Sequence, residues 1–209
     1  MHWQIGCCAI KQKGAARAAP FVICLACVAA SEIHAANDTL TLSSEGSNWD
    51  GSAPYGPFIY KNVKGNFIAE VEVRNVSGLA QKKVLGNNDA GLMVRVANSL
   101  ATTEQLLQNS IFPSWNVGNL LTNFVDGKRQ QLNTQSGWNY NKYLQIQRDG
   151  NLFYLRTSKD KINWIDLPGS PVLRNDLDQK EVQVGLYQCT YGPVKGFGSF
   201  SNFSLVLSK

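Results

Sequence analysis

The stretch YLQIQRDGNLFYLRTSKDKINWIDL, residues 143–167, predicts three short antiparallel strands joined by two turns. In its first half, Leu144 and Ile146 alternate with glutamines, and the triplet Asp149-Gly150-Asn151 supplies a turn before a second alternating run. Residues 158–161 form a second polar turn, after which the stretch ends in a third strand. A meander with one apolar face needs a second layer to cover that face, so the rest of the chain is expected to supply one.

Alternation of apolar and polar residues predicts strands along most of the remaining chain. The predicted strands are 39–42, as an opening edge strand, 65–73, 90–96, 111–116, 119–125, 182–189 and 200–207. Asp126-Gly127 predicts a tight hairpin turn, and Thr102–Leu107 is the single stretch with helical character. About ten strands at short intervals indicate an all-β fold, either a two-sheet sandwich or a barrel. The first and last strands are expected to pair in one sheet.

The first 36 residues have the layout of a secretory signal peptide. Three basic residues precede an apolar run at 18–30, and small residues follow at Ala35 and Ala36. The run is shorter than the roughly 20 residues that span a bilayer, so no membrane span is expected in the mature form. A retained membrane anchor and a lipoprotein signal before Cys27 are the alternatives. The sequence therefore predicts a signal peptide at 1–36, a domain at 37–209, and a secreted, periplasmic or cell-surface location.

Charge, cysteine and histidine usage exclude several classes of function. Removal of the three basic residues and one acidic residue of the leader lowers the net charge from +5 to +3, and the basic residues are scattered, so nucleic acid is not an expected partner. Four of the five cysteines lie in the leader, which leaves Cys189 as a buried, inert thiol. His2 and His34 also lie in the leader, so the mature domain lacks a histidine base, a Ser-His-Asp triad and a histidine metal cluster.

Six short motifs follow one another in a fixed order. They are Gly65-Asn66-Phe67, Asp89–Arg95, Tyr143–Arg148 with Gly150-Asn151, Ser158 and Asp160 with Trp164, Val184–Leu186, and Phe200–Phe203. In this order they resemble the secreted bacterial domains of the concanavalin A-like lectin/glucanase superfamily. The resemblance covers the chain from about Trp49 to Leu207 and implies a two-sheet antiparallel jelly-roll sandwich. It implies sugar binding as the expected function, because some members of this type are appended to carbohydrate-active enzymes.

Glu70 and Glu72 are the candidates for a catalytic carboxylate pair, since alternate residues of a strand point to the same face. Retaining glycoside hydrolysis needs two carboxyl groups about 5 Å apart. The glucanase pattern of the superfamily has a further acid between two such glutamates, where this chain has Val71. We therefore interpret both glutamates as solvated side chains on an outer strand face and predict no catalytic residue.

Glycan recognition needs aromatic platforms together with amide and guanidinium groups that bind sugar hydroxyls. The candidate ligand-binding residues are Arg95, Trp115, Asn116, Trp138, Tyr154 and Arg156. For each of them an ordinary sandwich residue is the alternative, and the arginines could equally be solvated side chains on a convex face. Trp49 and Trp164 are assigned to the core or to packing at the sheet ends.

No cofactor is predicted, although Asp176 and Asp178 keep calcium as an alternative. Asp149 and Asp160 are interpreted as turn formers. The predicted function is an exported, non-catalytic carbohydrate-binding module whose partner is a glycan or polysaccharide. A structural or adhesion module that binds a protein is the second hypothesis, and a glycoside hydrolase or lyase is the third. The sequence does not indicate an oligomeric state.

Overall fold

The computed structural model describes residues 4–6, 32–36, 38–49, 55–77, 87–97, 105–113, 118–135 and 140–208. In chain order, its strands are β1 (Gln4–Gly6), β2 (Glu32–Ala36), β3 (Thr39–Glu45), β4 (Phe58–Val63), β5 (Asn66–Val76), β6 (Asn87–Arg95), β7 (Leu106–Phe112), β8 (Gly118–Val125), β9 (Lys128–Gln135), β10 (Tyr143–Asp149), β11 (Leu152–Ser158), β12 (Ile165–Asp166), β13 (Val172–Leu173), β14 (Val182–Tyr191) and β15 (Lys195–Ser208). Within these ranges, a single turn of 3-10 helix at Asn175–Leu177 is the one helical element.

The strands form two antiparallel sheets. The seven-stranded sheet has the order β1-β4-β14-β6-β7-β8-β9, and the eight-stranded sheet has the order β12-β11-β10-β5-β15-β3-β2, with β13 pairing beside β11. The expected pairing of the first and last strands of the domain is confirmed, since β3 pairs with β15. The prediction of a two-sheet antiparallel jelly-roll sandwich is also confirmed.

The two sheets face each other across one apolar core. From the eight-stranded sheet, β5 contributes every second residue from Phe67 to Val73, and β10 contributes Leu144 and Ile146. Strand β6 supplies Leu92 and Val94 from the opposite sheet. Because side chains alternate along a strand, the residues between these core positions lie on the two outer faces of the sandwich.

Both predicted hairpin turns are confirmed. Strands β10 and β11 are joined at Gly150-Asn151, and strands β8 and β9 at Asp126-Gly127. Asp126 and Gly127 both have positive φ, at 49° and 70°. That backbone conformation matches the twist of a two-residue hairpin, which explains why this dipeptide is so strong a turn signal.

The third strand of the predicted meander is much shorter than expected. Within the predicted third strand, only Ile165–Asp166 pairs with β11, and Ile162 is 80% exposed. The carboxylate of Asp160 accepts the backbone N–H groups of Ile162 and Asn163 at 2.9 and 2.8 Å. This Asx turn confirms Asp160 as a turn former and holds the backbone groups that a strand would otherwise pair.

Two other element predictions differ from the structure. Leu106 and Leu107 lie in β7, so the helical prediction is wrong for them. Both are buried because β7 lies inside the seven-stranded sheet and is covered on both faces, which removes the alternation typical of a strand. The predicted strand 111–116 is described only to Phe112, where β7 ends. Residues 39–42 are flanked by β2 and β15, so they are not an edge strand here.

The predicted leader is described in two short strands. Strand β1 pairs with β4, and β2 pairs with β3. The signal peptide at 1–36 and the separate domain at 37–209 stay predictions. No helix in the described ranges is long and apolar enough to cross a membrane.

Candidate functional site

The structure places the predicted binding residues on opposite faces of the sandwich. Arg95 lies on the outer face of the seven-stranded sheet, because its neighbour Val94 points into the core. Tyr154 and Arg156 flank the core residue Leu155 and lie on the outer face of the eight-stranded sheet. Trp115, Asn116 and Trp138 fall outside the described residues. The described members of the predicted set therefore do not form one site.

Arg95 is buried beneath an aromatic ring. It is 4% exposed, and its guanidinium carbon lies 5.3 Å from the ring centroid of Trp49. The alternative of a solvated convex-face side chain is therefore wrong for Arg95, because Trp49 covers this part of the sheet. The assignment of Trp49 to packing is confirmed, since the indole is fully buried.

Arg156 is held by neighbours on its own sheet. Its Nε donates to Asp166 Oδ1 at 2.8 Å, and one terminal nitrogen donates to Gln147 Oε1 at 2.8 Å. The guanidinium also lies 4.7 Å from the ring centroid of Tyr154. A ligand on this face would have to compete with bonds that are already formed.

Glu72 differs most from its predicted environment. It is 3% exposed, so the interpretation as a solvated side chain is wrong. Its carboxylate accepts hydrogen bonds from Lys142 Nζ at 2.8 Å, Ser201 Oγ at 3.0 Å and Asn202 Nδ2 at 2.8 Å. Burial opposes ionisation, but these hydrogen bonds outweigh it and lower the pKa of Glu72. Glu72 is therefore a structural anion rather than a free acid.

A cavity of about 280 Å³ lies on the outer face of the seven-stranded sheet. Its aromatic and aliphatic lining residues are Trp49, Phe112, Leu120, Phe124, Leu132 and Tyr191. Its polar lining residues are Asn87, Asp89, Thr122 and Arg129. A concave apolar surface with a few polar groups is the usual make-up of a small-molecule site.

A second apolar cluster supports this cavity from beneath. Its buried members are Trp49, Phe58, Met93, Leu106, Phe124, Tyr187 and Cys189. Trp49 packs edge-on against Phe58 with ring centroids 6.1 Å apart. Gly56 is required beside the indole, because a Cβ there would lie 2.6 Å from Trp49 Nε1. The predicted burial of Cys189 is confirmed.

Asp89 is a buried carboxylate in the cavity lining. The hydroxyl of Tyr187 donates to its Oδ2 at 2.6 Å. Its Oδ1 has no hydrogen bond within 3.5 Å among the described residues, although the Ser110 hydroxyl lies near enough to lower the pKa of Asp89. Burial raises the pKa of Asp89 from 3.8 to about 7, against the opposing effects of Tyr187 and Ser110. Asp89 is therefore largely uncharged at mildly acidic pH.

The rim of the cavity comes from β9, the outermost strand of the seven-stranded sheet. Arg129 and Leu132 line the cavity from this strand, and both are exposed, Leu132 to 49%. An exposed guanidinium and an exposed aliphatic side chain at one rim can contact a ligand without any rearrangement of the core.

Sequence reasoning missed Asp89, Arg129 and Leu132 as site residues. A signal for Asp89 was present, because Leu92 and Val94 point inward and the alternation then places Asp89 on the outer face. No comparable signal marked the two residues of β9, since its sequence is polar almost throughout. Their position follows only from the pairing of β9 with β8.

The described residues do not form a metal-binding site. They contain no group of three or more His, Cys, Asp or Glu side chains that could hold a metal ion. Asp176, one of the calcium candidates, accepts hydrogen bonds from Arg174 through both carboxylate oxygens at 2.8 Å. A cation at Asp176 would have to displace this guanidinium, and the calcium alternative stays a prediction.

Comparison with known proteins supports the fold. No protein-family model matches the sequence, and no curated protein matches it. Among solved structures, a functionally unknown protein from Saccharomyces cerevisiae is similar, with a TM-score of 0.60, 20% sequence identity, and coverage of 85% of this chain and 92% of that chain.

Two further structural neighbours are carbohydrate enzymes. The GH43 protein BlXynB from Bacillus licheniformis has a TM-score of 0.57 and 12% identity, over 85% of this chain and 38% of that chain. A prokaryotic beta-1,3-1,4-glucanase (lichenase) derived from a mouse hindgut metagenome has a TM-score of 0.51 and 9% identity, over 81% and 80% of the two chains. The chain thus spans well under half of the Bacillus licheniformis protein. At these identities the likenesses show a two-sheet jelly-roll fold, the architecture that the motifs implied, and nothing finer.

Proposed function

We propose that this chain is an exported, non-catalytic carbohydrate-binding module whose ligand occupies the cavity on the outer face of the seven-stranded sheet. The observation that carries the proposal is the aromatic lining of that cavity on a lichenase-like sandwich. Aromatic rings such as Phe112 and Tyr191 pack against the apolar faces of sugar rings. Asn87, Thr122 and Arg129 supply polar groups for sugar hydroxyls.

The described lining of the cavity has fewer carboxyl groups than glycoside hydrolysis needs, which favours a binding function. Hydrolysis by the usual mechanisms needs two carboxyl groups on either side of the scissile bond. Asp89 is the one carboxylate among the described lining residues. Glu70 and Glu72 lie on the opposite outer face and are engaged by Gln145 and Lys142, respectively.

One observation supports a glycoside hydrolase as the second candidate function. A carboxyl group whose pKa is raised to about 7, as burial does for Asp89, has the acidity that suits a general acid. Release of reducing ends from a polysaccharide, abolished by Asp89→Asn, would support hydrolysis and contradict the non-catalytic proposal.

Binding can be tested with two matched leucine substitutions. Leu132 at the cavity rim is 49% exposed, and Leu173 on β13 of the other sheet is 57% exposed. We expect Leu132→Ala to weaken binding about tenfold, because about 1.4 kcal/mol of apolar contact with the ligand is lost. Leu173→Ala should leave binding unchanged. Affinity electrophoresis through gels containing xylan, mixed-linkage β-glucan or acidic polysaccharides measures both.

Two results would contradict this proposal. Equal weakening by Leu132→Ala and Leu173→Ala would mean that the ligand does not lie in the cavity. If no polysaccharide retains the protein, the proposed carbohydrate binding is wrong. A structural or adhesion module with a protein partner would then be favoured.

A further inference from the structure

Arg129 differs from the other arginines that the structure describes. Five of these six arginines contact intramolecular partners: Arg74, Arg95, Arg148, Arg156 and Arg174. In the described ranges, Arg129 has no side-chain partner, and it lies exposed at the rim of the cavity. An unpaired guanidinium beside a cavity is a ready partner for a ligand anion.

The charges around the cavity favour an anionic ligand. Arg129 is the only cation and Asp89 the only acid among the described lining residues. Burial holds the pKa of Asp89 near 7, so its negative charge is largely absent at mildly acidic pH. Under those conditions the cavity carries the positive charge of Arg129 with little to balance it.

We propose that the ligand is an acidic glycan and that a sugar carboxylate binds the guanidinium of Arg129. This inference rests on the proposed carbohydrate-binding function and narrows its ligand class. A carboxylate fits the guanidinium fork through two parallel N–H···O bonds, which a neutral sugar hydroxyl cannot form. The sugar ring then packs against Leu132, which lies at the same rim of the cavity.

Asp89 sets the expected pH dependence of this binding. In the strand register Arg129 lies level with Arg95, six positions along β6 from Asp89, which is about 20 Å at roughly 3.3 Å per residue, so an ionised Asp89 would repel a carboxylate bound at Arg129 only weakly. Strand β14 presents Tyr187, Cys189 and Tyr191 towards Asp89, and burial raises the pKa of each, so these three groups stay neutral. Among the described lining residues, the one further charged group is Arg129 on β9. Affinity for an acidic glycan should therefore fall by less than about twofold as the pH rises through 7.

The test compares acidic polysaccharides with their carboxyl-reduced forms. Polygalacturonate, alginate and hyaluronan are used with the full-length chain, each beside a sample whose uronic acids have been reduced to neutral sugars with the linkages retained. Affinity electrophoresis at pH 6 measures retention. We expect at least one acidic polymer to be retained and its reduced form to bind at least tenfold more weakly.

Matched charge variants separate a specific contact from general attraction. Arg129→Gln should weaken binding of the acidic polymer at least tenfold, whereas Lys128→Gln, which removes the same charge from the neighbouring exposed residue, should change it less than twofold. Arg129→Lys keeps the charge but loses the fork, so its affinity should lie between those of Arg129→Gln and wild type. Unchanged thermal unfolding confirms that each variant is folded.

The possible failures are distinguishable. Equal binding of acidic and reduced polymers, or equal effects of Arg129→Gln and Lys128→Gln, overturns the acidic-glycan inference and leaves carbohydrate binding intact. Retention of no polymer, acidic or neutral, overturns both the inference and the proposed function.

Discussion

Among the residues that the structure describes, each outer face of the sandwich carries one buried carboxylate, and the two have opposite pKa shifts. Glu72 is 3% exposed and its pKa is lowered, whereas Asp89 is 1% exposed and its pKa is raised to about 7. Glu72 accepts hydrogen bonds from the cation Lys142 and from Asn202, while Asp89 accepts one from the neutral hydroxyl of Tyr187. Similar solvent exposure thus accompanies opposite pKa shifts, because Asp89 lies deeper in the protein without a cationic partner, whereas Glu72 is paired with Lys142.

The same contrast distinguishes a completed structural network from a site. On the outer face of the eight-stranded sheet, Glu72 and Arg156 are engaged by neighbours within the protein. On the other outer face, the exposed Arg129 guanidinium lacks a side-chain partner among the described residues, and Asp89 Oδ1 lacks one while buried. Of these two groups, the exposed guanidinium is the one that a ligand can reach.

The largest expected effect is on the pH dependence of stability at Asp89. Because its pKa is raised, the folded state binds more protons than the unfolded state between pH 3.8 and about 7. The free energy of unfolding should therefore fall as the pH rises through this window, by up to about 1.4 kcal/mol per pH unit and about 4 kcal/mol in total. Asp89→Asn, which stays neutral, should remove this slope in urea unfolding measured from pH 4 to 8.

The stability curves of wild type and Asp89→Asn should cross. The asparagine can still accept the hydrogen bond from Tyr187, so the variant should be the more stable protein above pH 7 and lose that advantage below pH 5. Parallel curves for the two proteins over the whole range would show that Asp89 is already ionised in the folded state.

Alternation along single strands predicted most of the fold but not the state of these two carboxylates. The pattern at Phe67–Val73 correctly places Glu72 on an outer face. Its burial depends on Lys142, Ser201 and Asn202, which lie 70 to 130 positions away in sequence. A local alternation pattern carries no information about partners so distant in sequence. A strand residue whose periodicity predicts exposure can therefore still be buried by tertiary contacts.

The candidate site was not predicted from the sequence for a related reason. The cavity exists because Trp49, forty positions before Asp89, lies over the outer face of the seven-stranded sheet. The sequence assigned Trp49 to packing correctly but not to a particular sheet. The predicted site residues were chosen because polar and aromatic side chains can bind sugars, and in the structure Arg95 and Arg156 already have partners. The sequence shows whether a side chain has the chemistry to bind a sugar. It does not show whether that side chain is already bonded to a neighbour within the fold.

A smaller effect is expected from removing the charge of Glu72. Glu72→Gln should lower the free energy of unfolding at pH 7 by roughly 1–3 kcal/mol, because Lys142 loses its ionic partner. The less buried Glu70, 3.6 Å from Lys161, serves as the matched control, and Glu70→Gln should cost less than about 1 kcal/mol. Urea unfolding at pH 7 compares the two.

The pH profile of Glu72→Gln should mirror that of Asp89→Asn. Because the pKa of Glu72 is lowered, its contribution is present above pH 4.5 and is lost as the pH falls through the folded-state pKa. The stability difference between wild type and Glu72→Gln should therefore shrink below pH 4.5. A difference that stays constant down to pH 3 would contradict the ionic role of Glu72.

The smallest change in the free energy of unfolding is expected when one outer strand is removed from each sheet. Deletion of residues 1–36, the predicted leader, removes β1 from the seven-stranded sheet and β2 from the eight-stranded sheet. Among residues whose burial is described, the core cluster begins at Leu42, so its packing should survive. We expect a loss of less than about 2 kcal/mol, since freed backbone entropy offsets most of the lost strand pairing. Urea unfolding of the chain from Asn37 to Lys209 measures this, and loss of a cooperative transition would show that the first 36 residues belong to the domain.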